Sequence, residues 1–91
     1  MYNDITVLEA LVMIEIPMCP TEPDEELVTA SIEEIKGDSP EVVRNEVSNI
    51  LSSLIGKGYV SIAQNGEFYL NNKGSEAGMQ IMHLMCLAFR G

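Results

Sequence analysis

The chain has 91 residues, 46% of them apolar, few aromatic and none Trp, and it carries a formal net charge of −9. That length fits one domain with a thin core, and that composition excludes intrinsic disorder. So negative a chain also argues against nucleic acid at first sight, because affinity for DNA rests largely on Lys and Arg neutralising phosphates.

The distribution of charge weakens that objection. Residues 1–40 hold ten acids and a single base, Lys36, so they account for the whole net charge. Residues 41–91 balance Glu41, Glu46, Glu67 and Glu76 against Arg44, Lys57, Lys73 and Arg90. The start MYNDITVLEA has acids where a signal peptide would have lysines, and Cys19 and Cys86 follow no disulfide or CxxC spacing, which together predict a cytoplasmic protein. The densest apolar stretch, Met79 to Phe89, is interrupted by His83 and is shorter than the ~20 residues a membrane helix needs, so no membrane partner is expected.

In chain order, the first pattern is a helix from about Asn3 to Glu15, capped by Asn3 or Asp4, with Ile5, Leu8, Leu11 or Val12 and Ile16 at helical spacing. Pro17 ends it, and PMCPTEP, with Pro17, Pro20 and Pro23, reads as a short stiff connector. A second helix is predicted from TEPDEEL onward, with Thr21 as cap, Asp24 in capping-box position and a buried stripe of Leu27, Val28, Ser31, Ile32 and Ile35. Gly37 is expected to end it in the left-handed conformation, and Ser39 with Pro40 to cap the next helix at once. Two helices joined so tightly form a helix-turn-helix layout.

The third helix is predicted from Pro40 to about Ile55, with Val43, Val47, Ile50, Leu51 and Leu54 inward and Glu41, Arg44, Asn45, Ser48, Asn49 and Ser52 outward. Gly56 and Gly58 close it beside Lys57. In the hairpin GYVSIAQNGEFYL a two-residue loop would put Val60 and Ile62 on the face opposite Phe68 and Leu70. A three-residue loop, Gln64-Asn65-Gly66 with Gly66 left-handed, pairs Ile62 with Phe68 and Val60 with Leu70, so all four share the core face. The last helix, from about Ser75 to Phe89 with Ser75 as cap, is apolar around nearly its whole circumference. Such a helix needs cover on more than one side, which predicts a homodimer through Met79, Met82, Leu84, Met85 and Phe89. The expected domain organisation is a core of residues 1–74 and a C-terminal dimerisation helix of residues 75–91.

Within that order, LSSLIGKGYVSIAQNGEFYLNNKG resembles one pattern in particular. In MarR-type and PadR-type bacterial transcription regulators a leucine-rich helix end runs through a Lys-Gly-aromatic step into a wing that returns through Tyr-Leu-x-x-Lys-Gly. Leu51, Leu54, Gly56, Lys57, Gly58, Tyr59, Val60, Tyr69, Leu70, Lys73 and Gly74 match it in place. The resemblance implies a mainly α, winged helix-turn-helix domain of order α-α-α-β-β-α, dimeric and bound to double-stranded DNA through the third helix and the wing. Carried over, the DNA-binding residues are Arg44, Asn45, Ser48 and Asn49 on the helix and Gln64 and Asn65 at the wing tip. The departures are a tip without Lys or Arg and Asn71-Asn72 where Leu-Thr is frequent.

Other chemistries find little support. No phosphate loop, dinucleotide fingerprint or nucleophile elbow occurs, so neither an enzyme nor a cofactor is expected. Met79, Met82 and Met85 beside His83 and Cys86 suggest a soft metal, but adaptable packing at a helix interface explains them without one. Cys19 lacks the basic neighbour that a redox thiol needs. The alternative to a DNA-binding regulator is an acidic protein-interaction module whose first 40 residues dock on a basic protein partner or imitate DNA.

Overall fold

The computed structural model describes residues 4–90, with side chains through Cys86. Five helices and a two-stranded antiparallel sheet follow in the order α1 Val7–Met13, α2 Ile32–Asp38, α3 Glu41–Arg44, α4 Val47–Lys57, β1 Val60–Ile62, β2 Phe68–Leu70 and α5 Asn72–Arg90. No helix among the described residues is long and apolar enough to cross a membrane.

Helix α1 is shorter than its periodicity predicts. Its cap is Thr6, not Asn3 or Asp4: the Thr6 hydroxyl accepts from the Glu9 N–H (3.1 Å) and the Glu9 carboxylate accepts from the Thr6 N–H (2.8 Å). Two orphan donors are satisfied by one reciprocal pair, which outweighs a lone Asp cap. Asn3 lies outside the described residues, and Asp4 accepts instead from the Tyr59 hydroxyl at 2.6 Å. Val12, Met13 and Ile16 are buried.

Of the second predicted helix only the last part forms, as α2, and its start at Thr21 does not. Residues 21–28 are irregular and exposed, and Leu27 and Val28, expected in the core, face solvent, Val28 with 61% of its surface. The competing interaction is tertiary. The Ala30 N–H donates to the Phe68 carbonyl (3.0 Å) and its carbonyl accepts from the Phe68 N–H (2.8 Å). A helix running through Ala30 would consume both groups internally. The chain also leaves along β2, where Leu70 donates to the Pro17 carbonyl (2.7 Å) and accepts from the Cys19 N–H (2.9 Å). The outer edge of β2 is thereby paired, and the acidic segment loops out between its two anchors.

Helix α2 starts at a second capping box, Ser31 with Glu34, so Ser31 is a cap and not part of a buried stripe. Gly37 lies inside α2 with a negative φ, since among the described residues only Gly58 and Gly66 have positive φ. Ser39 closes α2 instead of opening α3: its hydroxyl donates to the Ile35 carbonyl at 2.6 Å. The predicted third helix is broken at Asn45–Glu46 into α3 and α4. Val42, Val43 and Asn45 are weak helix formers, and the backbone tightens there to short bonds from Val43 N–H to the Pro40 carbonyl and from Glu46 N–H to the Val43 carbonyl. The break leaves the buried stripe intact, because Val43, Val47, Ile50, Leu51 and Leu54 all lie in the core as expected.

The hairpin has the predicted register, with Val60 opposite Leu70, Ser61 opposite Tyr69 and Ile62 opposite Phe68. Gly66 closes the three-residue loop at φ +82°, and its N–H donates to the Ala63 carbonyl (2.9 Å). The expected burial holds only at the base. Val60 and Leu70 are buried and Phe68 packs on the core rim, but Ile62 is 55% exposed, because the hairpin extends past the helices that would cover it. Helix α5 begins three residues before the predicted cap. The Asn71 side chain accepts from the Gly74 N–H at 3.0 Å, while the Ser75 hydroxyl turns inward to the Leu70 carbonyl at 3.2 Å. Of the side chains predicted for a dimer contact, Met79, Met82 and Leu84 are exposed, Met85 is half-buried and that of Phe89 lies outside the described residues.

Candidate nucleic-acid interface

The buried stripe of α4 fixes what its opposite side presents. With Val47, Ile50, Leu51 and Leu54 inward, Ser48, Asn49 and Ser52 are exposed, and Arg44 and Asn45 are exposed at the break that precedes them. The residues predicted for this helix therefore share a solvent-facing surface, except that Arg44 belongs to α3 and not to the long helix. Its guanidinium donates to the Ser39 carbonyl at 3.1 Å, which leaves further N–H groups free. Asn49 stands 3.5 Å from the Glu46 carboxylate and keeps its carbonyl oxygen available.

The hairpin tip is less free than its sequence suggests. Gln64 is exposed, but the Asn65 amide donates to the Thr29 hydroxyl (3.2 Å) and its carbonyl oxygen accepts from the Glu67 N–H (2.9 Å). Thr29 in turn donates to the Glu67 carboxylate at 2.7 Å. The tip is thus held against the end of the acidic loop.

Lys57 and Lys73, the cations of the matched pattern, are engaged inside the fold. The Lys57 ammonium lies 2.8 Å from the Glu9 carboxylate and also donates to the Asp4 carbonyl. Glu9, only 4% exposed, accepts in addition from the Ser53 hydroxyl at 2.7 Å, so α1 and α4 are joined by a satisfied polar cluster. Lys73 donates to the Lys57 carbonyl (2.9 Å) and stands 4.4 Å from the centre of the Tyr59 ring. The Asn71 amide binds the Gly58 carbonyl (2.8 Å) and the Ser61 hydroxyl (3.1 Å). The segment from Lys57 to Gly74 is a structural knot that sets the angle between α4, the hairpin and α5.

Glu9 and Thr29 are not among the residues that the sequence singles out, and Asn71 stands out there only as a departure from the matched pattern. For Glu9 a signal is present, since Thr6-x-x-Glu9 is a capping box that fixes where its carboxylate points. Nothing local announces Thr29.

Burial opposes ionisation of Glu9, but hydrogen bonds from Lys57, the Thr6 N–H and Ser53, with the charge of Lys57, outweigh it and hold the carboxyl below its ordinary value. The Tyr59 hydroxyl is the main cause of a lowered Asp4 value, with smaller help from Lys57 and Lys73 against some desolvation. Both carboxyls bind protons more readily unfolded than folded, so stability rises with pH where they titrate. Their contribution is full above the unfolded carboxylate range, about 4 to 4.5, and is lost as pH falls through the native values. Urea midpoints measured against pH should therefore drop on the acid side, and Glu9→Gln should flatten that slope while leaving any Asp4 component.

No family model, no curated protein and no solved structure matches this chain.

Proposed function

We propose that the chain is a small winged helix-turn-helix DNA-binding transcription regulator in which α2 and α4 form the helix-turn-helix, α4 enters a major groove and the hairpin serves as the wing. The observation that carries this reading is the surface of α4. Its exposed row of Ser48, Asn49 and Ser52 bears hydroxyl and amide groups and no charge, where a purely structural helix would favour Glu, Lys or Ala. Asn is the customary partner of adenine and Arg of guanine in a major groove. The Ala30 pairing on β2, next to a hairpin that follows α4 directly, further supports the assignment.

The charges predict an unusual salt dependence. Between Glu41 and Leu70 the cations are Arg44 and Lys57, and Lys57 is engaged by Glu9, so Arg44 is the one available to a phosphate or base. A titration of double-stranded DNA fragments across a salt series should give a log–log slope near −1 per protomer, about −0.9 for each phosphate contact. Asn49→Ala and Arg44→Ala should each weaken binding roughly tenfold, at the lower end of the ~1–3 kcal/mol of a bidentate base contact. Absence of salt-dependent binding at low ionic strength would end the proposal.

A second reading has its own observation. Glu22, Asp24, Glu25 and Glu26 are all exposed on the loop whose end is pinned to the hairpin through Thr29 and Ala30. That arrangement favours an acidic interaction module docking on a basic protein. Retention of a basic partner that moderate salt releases, with no DNA binding, would select it over the first reading.

A further inference from the structure

We infer that Asn65 is a self-modification site: its side-chain amide is lost to the Gly66 nitrogen when the hairpin tip opens, and a latch through Thr29 and Glu67 sets how often it opens. The reaction does not depend on what the chain binds.

Among the asparagines of the chain, Asn65 alone is followed by glycine. A glycine nitrogen carries no Cβ beside it to hinder close approach, so it can attack the Cγ of the preceding side chain. The new N–Cγ bond closes a cyclic imide, the Cγ–Nδ2 bond breaks, and ammonia leaves with the proton given up by the Gly66 nitrogen. Water then opens the imide, its hydroxyl going to one carbonyl carbon and its proton to the ring nitrogen. The product is an aspartate or an isoaspartate, and nothing is oxidised or reduced. A Cβ at Gly66 would meet nothing within 4 Å, so water has access to the imide.

In the closed tip both reacting groups are occupied. The Gly66 N–H donates to the Ala63 carbonyl at 2.9 Å. The Asn65 carbonyl oxygen accepts from the Glu67 N–H (2.9 Å), and its amide donates to the Thr29 hydroxyl (3.2 Å), which itself donates to the Glu67 carboxylate (2.7 Å). An amide held at both ends cannot turn its Cγ onto the next nitrogen. Attack therefore waits for a local opening.

The product cannot rebuild the latch. A carboxylate has no N–H to give Thr29, and it sets a negative charge where the amide nitrogen stood 3.5 Å from the Glu67 carboxylate. Isoaspartate also adds a carbon to the backbone of the three-residue loop that Gly66 closes. Either product loosens the acidic loop from the hairpin, and the change runs one way.

Peptide masses from the chain aged at mildly alkaline pH should show amide-to-acid conversion at Asn65, slower in the folded chain than in urea. Thr29→Ala keeps the backbone bonds between Ala30 and Phe68. It should speed the folded reaction about fivefold, the effect of one net hydrogen bond on the opening equilibrium, and leave the rate in urea unchanged. Asn65→Asp should quicken hydrogen exchange at the Ala30 amide and leave the α4 amides at wild-type protection. A folded rate equal to that in urea, equal folded rates for wild type and Thr29→Ala, or conversion at Asn71 or Asn72 ahead of Asn65 would overturn the inference. So would unchanged exchange at Ala30 in Asn65→Asp.

Discussion

Replacing Gly74 with alanine should destabilise the fold by about 3 kcal/mol, the upper end of what an extra methyl costs in a close-packed site. A Cβ built there stands 2.0 Å from the Tyr59 carbonyl oxygen and 2.9 Å from its carbon. Those are backbone atoms, held in place by the bond from the Asn71 N–H to the same carbonyl (3.2 Å), so they cannot swing aside as a side chain would. In an exposed helix the same change would gain up to ~1 kcal/mol, which gives the prediction its sign against expectation. Gly78→Ala is the internal control. Its Cβ would meet the terminal atoms of Met18 (3.1 Å) and Leu70 (3.2 Å), which are side-chain ends able to shift. Urea unfolding should show a large fall in midpoint for Gly74→Ala and a small change for Gly78→Ala, with slope unchanged in both. Equal midpoints would mean that α5 does not approach the Gly58–Val60 step this closely.

Replacing Tyr59 with alanine should cost about 4 kcal/mol, within the range for removing a buried aromatic. Tyr59 is among the largest fully buried side chains, and its ring sits at the junction of α4, β1 and α5 with the Lys73 ammonium above it. Its hydroxyl also reaches the Asp4 carboxylate. Tyr59→Phe separates the two roles: it keeps the ring and removes the hydroxyl's bond to a carboxylate, and should cost less than the truncation, about 1.5–3 kcal/mol. If the two variants were equally unstable, the hydroxyl and not the packing would hold this junction.

Both sites lie in the segment from Lys57 to Gly74, where the sequence pattern is most detailed. The pattern is visible there, yet the fold gives it another meaning. Lys57 reads as a cation suited to a helix C-terminus, and in the fold its ammonium reaches across to Glu9, 48 residues away in sequence. Lys73 reads as part of the motif and Asn71 as a departure from it, and in the fold both tie the start of α5 to the backbone of the step before β1. For the candidate interface this matters directly, because two of the four bases in the less acidic half of the chain are engaged internally and unavailable to phosphates.

What the sequence determined by itself was whatever one periodicity or one parity controls. The α4 stripe follows from the 3.6-residue repeat of Val47, Ile50, Leu51 and Leu54, and the hairpin register follows from the need to place Val60 and Leu70 on the same face, which an odd loop satisfies and an even one does not. What only the tertiary structure decided were the contests between local and distant partners. The helix signals of TEPDEEL lost to the pairing of Ala30 with Phe68, 38 residues on, and Asn65, a turn residue by sequence, became part of a latch only through Thr29, 36 residues before it. Local propensities amount to tenths of a kcal/mol per residue, whereas a buried backbone donor or acceptor left unpaired costs ~1–3 kcal/mol. Where the two conflict, the distant partner prevails, and the one local mark of the outcome is the capping box Ser31-x-x-Glu34, where α2 begins.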